Sequence, residues 1–153
     1  MKTNEVISQE SRLKDLFDKY SSLPDDEYIK ARWSEYLCIR IYGYLEVAIK
    51  ELIGDYSSRC SSPKISSYVV SQIKNFRSPN MENILKLMGM FDASWRDEIE
   101  SQCNDEIRTA LDSIVANRHN LSHGKNVGVS IGNLKPWYKN ALCFVEIFQK
   151  KLQ

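Results

Sequence analysis

The sequence lacks the features that identify several large classes of protein. Its four cysteines are far apart among 153 residues, and none forms a CxxC pair of the kind found in zinc sites and redox motifs. No apolar run approaches the ~20 residues that a membrane-spanning helix needs. The first fifteen residues are polar, without the apolar segment of a signal peptide. We therefore expect a cytoplasmic protein with reduced, structural cysteines and no membrane contact.

The chain also lacks an excess of charge of either sign. Its 21 basic and 20 acidic residues give a net charge of +1, so attraction to nucleic acid must be local where it exists. Glycine-rich phosphate loops, strongly basic surfaces and platforms of base-stacking aromatic residues are absent, which argues against generic single-strand binding. Any attraction to nucleic acid or to a membrane must therefore come from a local group of charges.

What the sequence does contain is helical periodicity along almost its whole length. The spacing predicts helices over about residues 6–20, 25–53 and 65–76. A fourth helix follows Ser78 as N-cap and Pro79 as first residue, a fifth runs from the acidic segment at 92–112 to about Arg118, and the last starts near Pro136. Gly54 is expected to end the second helix, and residues 55–64 to form a polar loop. The prediction is an all-α bundle of five to six helices around one long central helix, forming a single domain over residues 1–153.

The second predicted helix is the longest, and its apolar residues cover most of its circumference. A helix of this type is buried on most sides. It is either the central helix of the bundle or a core helix that also contacts a partner chain.

The segment from Ile114 to Lys125 departs from the plain pattern of a bundle. Both histidines of the protein lie in it, at positions 119 and 123. Apolar residues recur at helical spacing through positions 107, 111 and 114, and Arg118 occupies the next position of this stripe. An inward-facing arginine must find a partner, because an unpaired buried charge is very costly.

The charges around this segment indicate a local cationic site. Residues 113–145 contain no acid, but they contain one arginine, three lysines and both histidines, whereas residues 92–112 contain seven acids. Arginine is the side chain best suited to binding phosphate oxygens in pairs. A nearly neutral protein can thus present a phosphate site here.

Other interpretations of the same residues remain open. Cations in a last helical turn followed by Gly124 are also an ordinary helix end. His119 and His123 are four residues apart and would share a helix face, as zinc ligands do, but no acid or thiol lies nearby in sequence to complete a site. Nucleophilic catalysis by Ser122 lacks any surrounding motif. We expect neither a metal nor another cofactor.

The run from Arg118 to His123 matches the R-x(4–6)-H motif of the HEPN superfamily, and the His123-Gly124 tail resembles the form found in its RiboL-PSP group. Leu45-Glu46 in the long helix resembles the "LE" helix of those domains, and residues 80–87 and 110–115 resemble their later helices. The resemblance covers about residues 28–150.

The resemblance implies an all-helical homodimer that cleaves RNA without metal, by attack of a 2′-OH on the adjacent phosphate. Arg118 would hold the phosphate and His123 would act as general base or acid, with the matching residue of the second copy in the complementary role. His119 and Asn120 would orient the site, and Lys125 would contact RNA.

Glu46 has two possible roles. It would orient Arg118 from the long helix, or it would form a surface pair with Lys50, four residues further on. Toxins of the superfamily that are controlled by nucleotidyl-transfer antitoxins often carry tyrosine two residues after the histidine. Lys125 occupies that position here, so this form of regulation is not expected.

The functional prediction is a ribonuclease that serves as a toxin or an anti-phage effector, with an antitoxin or a defence-complex protein as its partner. The alternative is a non-catalytic module that dimerises and binds RNA or a protein. A plain helical bundle, with Arg118 as a helix-end cation, is the third possibility.

Overall fold

The computed structural model describes all 153 residues as helices and short connections, without a β-strand. A single turn of 3-10 helix, Lys19–Ser22, follows the first helix. The seven α-helices are α1 (Asn4–Asp18), α2 (Glu27–Cys60), α3 (Pro63–Ile73), α4 (Met81–Phe91), α5 (Ala93–Gln102), α6 (Asp105–Ser122) and α7 (Ile131–Lys151). The predicted all-α class is confirmed, with seven helices where five to six were expected.

Helix α2 is the centre of the bundle, as predicted. It is 34 residues long and packs against α1, α3, α6 and α7. A cluster of 29 buried residues, with members from all seven helices, forms one continuous core around it. None of the helices combines the length and the apolar character that crossing a membrane requires.

The prediction that Gly54 ends α2 and opens a polar loop is wrong, because α2 continues to Cys60. Gly54 lies under α3, where an added Cβ would come within 3.8 Å of Val70. The next turn has packing partners of its own: Ser57 is buried, and the ring of Tyr56 lies 5.3 Å from that of Trp95. Tertiary packing therefore overrides the low helix propensity of glycine.

The segment predicted as one helix over residues 92–118 is two helices, which accounts for the additional member of the bundle. The Asp92 carboxylate caps α5 by accepting a hydrogen bond of 2.7 Å from the Ser94 N–H. The buried Cys103 then ends α5, and the Asn104 side chain caps α6 by accepting from the Ile107 N–H at 2.9 Å. The Asn104 cap, which directly follows the end of α5, allows a second helix to begin at once.

Two further boundaries differ from the predictions. Asn80, not Ser78, caps α4 by accepting from the Asn83 N–H, and Ser78 has a positive φ of 57°. Ser130 caps α7, which begins at Ile131 and contains Pro136 in its interior. In both places a side-chain cap, and not the proline, determines where the helix begins.

Candidate functional site

The Arg118–His123 motif occupies the last turns of α6. The helix continues through the motif to Ser122, four residues beyond the predicted end, and His123 is the C-terminal cap residue. Gly124 has a φ of +72°, and its N–H donates to the Leu121 carbonyl while the Lys125 N–H donates to the Asn120 carbonyl. These two bonds form a Schellman motif, which requires a left-handed residue and so explains the glycine after the histidine.

Arg118 is half-buried, and its guanidinium lies over an aromatic ring. Its Cζ atom is 4.7 Å from the centroid of the Tyr42 ring, on α2. None of the eight ion pairs in the structure involves Arg118. The partner expected for this inward-facing arginine is therefore a ring and not a carboxylate. Such a cation–π contact stabilises by about 0.5–2 kcal/mol, according to how far it is desolvated.

Tyr42 is in turn held by its hydroxyl group. The side chain is 5% exposed, and the hydroxyl accepts a hydrogen bond of 3.0 Å from the Ser78 N–H. The hydroxyl also lies 3.4 Å from Oε2 of Glu46, to which it donates. Glu46 forms an ion pair with neither Arg118 nor Lys50, so its connection to Arg118 passes through Tyr42.

His119 and His123 are both exposed at the end of α6. Their ring centroids are 4.5 Å apart in an edge-to-face arrangement, as their spacing of four residues on a helix predicts. Neither ring makes an ion pair with a carboxylate. Metal binding needs a third ligand, and no group of three or more His, Cys, Asp or Glu side chains is arranged to hold an ion.

The remaining residues of the motif have structural or solvent-facing positions. Asn120 is half-buried, and its carbonyl takes part in the helix cap. The Ser122 hydroxyl donates to the His119 carbonyl at 2.8 Å, as a helix-end serine commonly does. Lys125 extends into solvent immediately after the cap. The structure thus brings Arg118, the two histidines and Lys125 to one end of one helix.

A groove of about 400 Å³ adjoins His119, and most of its walls come from outside the motif. Asp112, on α6, accepts a hydrogen bond of 2.9 Å from the Met81 N–H at the start of α4. This bond holds the start of α4 against α6. The lining residues are Ser78, Asn80, Glu82, Asn83, Asp112, Val115, Ala116 and His119. Sequence reasoning missed the α4 residues, because nothing local indicates that the start of α4 lies beside α6.

Basic residues outside the motif also lie near this site. Burial lowers the pKa of Lys50, and the nearby charge of Arg77 lowers it further, against the opposing effect of Glu46. Arg77 directly precedes Ser78, whose N–H contacts Tyr42. Arg77 therefore adds positive charge near Tyr42, and it disfavours the charged form of the neighbouring Lys50. The sequence offered no sign of this, since the two residues belong to different segments.

The fold and the site together define a helical protein with an R-x4-H motif at the end of a core helix. The sequence model of the RiboL-PSP-HEPN family matches residues 4–153, which is nearly the whole chain and more than the predicted 28–150. The protein belongs to the RiboL-PSP-HEPN family. No curated protein and no solved structure gives a significant match to it.

Proposed function

We propose that this protein is a metal-independent endoribonuclease in which Arg118 and His123 act on an RNA phosphodiester bond. The observation that carries the proposal is the Arg118 guanidinium, which contacts the Tyr42 ring and has no carboxylate partner. Its N–H donors and its charge remain available to an anion. Two exposed histidines follow within five residues, His119 in the last turn of α6 and His123 at its C-terminal cap.

The reaction requires one anion-binding group and two proton transfers. Arg118 would bind the non-bridging phosphate oxygens and stabilise the charge that develops on them. One imidazole would accept the proton of the 2′-OH as the 2′ oxygen attacks phosphorus, and another would protonate the departing 5′ oxygen. The products are a 2′,3′-cyclic phosphate and a free 5′-OH, with no metal and no covalent enzyme intermediate. His123 is assigned one of these transfers, and the motif of a second copy supplies the other.

The outer face of α2 supports a homodimer. Tyr28, Tyr36 and Ile39 are 68%, 40% and 43% exposed on this face, although α2 is otherwise the buried centre of the bundle. The Arg32 guanidinium lies 5.0 Å from the centroid of the Tyr28 ring. Exposed tyrosine and arginine are the residue types that contribute most to binding in protein interfaces. Ile39 comes three residues before Tyr42 on α2, so a second copy bound over Ile39 would lie within about one helical turn of Tyr42 along this helix.

We assign the ribonuclease a role as a toxin or an anti-phage effector acting in the cytoplasm, with an antitoxin or a defence-complex protein as partner. The second candidate is a non-catalytic module that binds RNA or a protein. The observation that favours it is that neither histidine is paired with a carboxylate, whereas a catalytic histidine is commonly oriented by such a group.

Cleavage of total RNA in excess EDTA separates these two functions. The wild-type protein is compared with an Arg118→Ala/His123→Ala variant of equal helicity. Discrete cuts by the wild type alone, ending in 2′,3′-cyclic phosphate, support the nuclease. RNA that stays intact with a folded, dimeric wild type favours the binding module. Equal cutting by both proteins would place the activity elsewhere.

A further inference from the structure

We propose that Tyr42 is a positioning residue, which holds the Arg118 guanidinium ready for a phosphate of the RNA. The inference rests on the proposed function and adds to its site a residue outside the motif. Tyr42 lies on α2, 76 residues before Arg118, and it reaches the site only because α2 and α6 pack side by side.

The first argument is the kind of partner that Arg118 has. A carboxylate would occupy the N–H donors of the guanidinium and neutralise its charge, so an incoming phosphate would have to displace it. An aromatic face attracts the cation through its quadrupole and accepts no conventional hydrogen bond from it. Tyr42 therefore fixes the position of Arg118 while leaving its donors free.

The second argument is that the Tyr42 ring is itself held firmly. It is buried, and its hydroxyl accepts a hydrogen bond of 3.0 Å from the Ser78 N–H and makes a longer contact of 3.4 Å with the Glu46 carboxylate. Ser78 has a positive φ, which is uncommon for a residue other than glycine. A fixed ring restricts the rotamers of a long, flexible side chain before the ligand arrives, which lowers the entropic cost of binding.

The third argument is the contrast with the two other arginine–tyrosine contacts of α2. Arg32 over Tyr28 and Arg40 over Tyr36 are pairs four residues apart on one helix, with exposed rings, and such pairs follow from helical spacing alone. The Arg118–Tyr42 contact joins two helices and uses a buried ring.

The test uses two substitutions of Tyr42 and a matched control on the same helix. Tyr42→Phe keeps the ring, and Tyr42→Leu removes it while retaining an apolar side chain. Tyr44→Leu is the control, because Tyr44 is also buried in α2 and its hydroxyl donates to Glu10 in α1, away from Arg118. Affinity is measured for a 2′-O-methyl RNA oligonucleotide, which cannot be cleaved, and single-turnover cleavage is measured for the matching RNA.

Tyr42→Leu is expected to weaken binding of the oligonucleotide about 10-fold, within the range of a partly desolvated cation–π contact. Tyr42→Phe should stay within about threefold of the wild type, and Tyr44→Leu should lower thermal stability without changing affinity. The decisive measurement is the double variant. In an Arg118→Ala background, Tyr42→Leu should cause no further loss, because its effect operates through Arg118.

Equal losses from Tyr42→Leu with and without Arg118, or no loss at all, would overturn the inference. If Tyr42→Leu does not fold, the NMR signals of the Arg118 δ-methylene protons in the wild type decide: an upfield ring-current shift supports the contact, and random-coil values contradict it. If the wild type binds the oligonucleotide through Arg118 and Tyr42 but leaves RNA uncut, the proposed nuclease function is contradicted and the positioning role of Tyr42 stands. Binding that is independent of Arg118 would contradict both proposals.

Discussion

The imidazole rings of His119 and His123 meet edge to face at the exposed end of α6, with their centroids 4.5 Å apart. Because the two rings are so close, either histidine could transfer the proton during cleavage, although only His123 is the histidine of the R-x4-H motif. We predict that His123→Ala lowers the single-turnover cleavage rate by roughly 100-fold or more, the usual contribution of a general acid or base. His119→Ala, the matched control, should lower it by less than about tenfold, since His119 only orients the site.

A comparison of the two single variants decides which ring transfers the proton. Both residues are exposed, so neither substitution should change the melting temperature appreciably. If His119→Ala is the more damaging change, the proton transfer belongs to His119, and the motif assignment is wrong.

Gly124 provides a test of how the cap positions His123. Its φ of +72° is strained for any residue with a Cβ, although no atom lies within 4 Å of the position that a Cβ would take. Gly124→Ala should therefore lower the free energy of unfolding by about 1–2 kcal/mol through backbone strain alone. Cleavage should fall as well, because the Schellman motif orients the cap residue.

Gly132→Ala is the control for Gly124→Ala. Gly132 lies in the first turn of α7, has no positive φ, and an added Cβ would be 3.7 Å from the Ser130 hydroxyl, an ordinary contact. Stability should be unchanged or raised by up to about 1 kcal/mol. A Gly124→Ala protein as stable as the wild type would show that the left-handed cap is not required.

Sequence reasoning found the motif but not its surroundings, and Arg118 shows why. Its place on the apolar stripe of α6 can be read from helical spacing, which is a local property. Its contact with Tyr42 depends on the packing of α2 against α6, and Tyr42 is one of many apolar residues around α2. The same holds for the groove beside His119, which depends on Asp112 accepting a hydrogen bond from the start of α4.

Helix existence was predicted better than helix ends, because caps compete locally. Ser78 is the cap that the sequence predicts for α4, but its N–H donates to the Tyr42 hydroxyl, and Asn80 caps the helix two residues later. Gly54 would end an isolated helix, but here it lies beneath Val70. In each case a contact between distant parts of the chain selects one of the local alternatives.

The cysteines make stability dependent on pH in the alkaline range. Burial raises the pKa of the Cys38 thiol to about 12 and that of Cys103 to about 11, whereas an unfolded thiol titrates near 8.5. Both thiols thus remain protonated in the folded protein when they would ionise in the unfolded chain. Each thiol's contribution to the free energy of unfolding is therefore fully present below pH ~8.5 and is lost as the pH rises towards 11. The loss is up to about 1.4 kcal/mol per pH unit for each thiol.

Alkylation with iodoacetamide at pH 8 distinguishes the buried cysteines from the exposed ones, residue by residue. Cys60 and Cys143 are exposed and should be modified in the folded protein, whereas Cys38 and Cys103 should react only after unfolding. Peptide mass spectrometry identifies the modified positions. Modification of Cys38 at the rate of Cys60 would mean that the core between α2 and α6 opens readily, since the Cys38 thiol faces the Ile114 carbonyl across that contact.

The proposed dimer is tested by placing a charge on the outer face of α2. Ile39 is 43% exposed there, and Ile39→Glu would bury an unpaired carboxylate in an interface on this face. We expect the variant to be a folded monomer by sedimentation and to lose cleavage together with association, because each site needs the motif of the second copy. Ile65→Glu is the control, since Ile65 is 54% exposed on α3, outside the proposed interface. A wild-type monomer that still cuts RNA, or an Ile39→Glu protein that remains dimeric, would show that the α2 face does not build the active site.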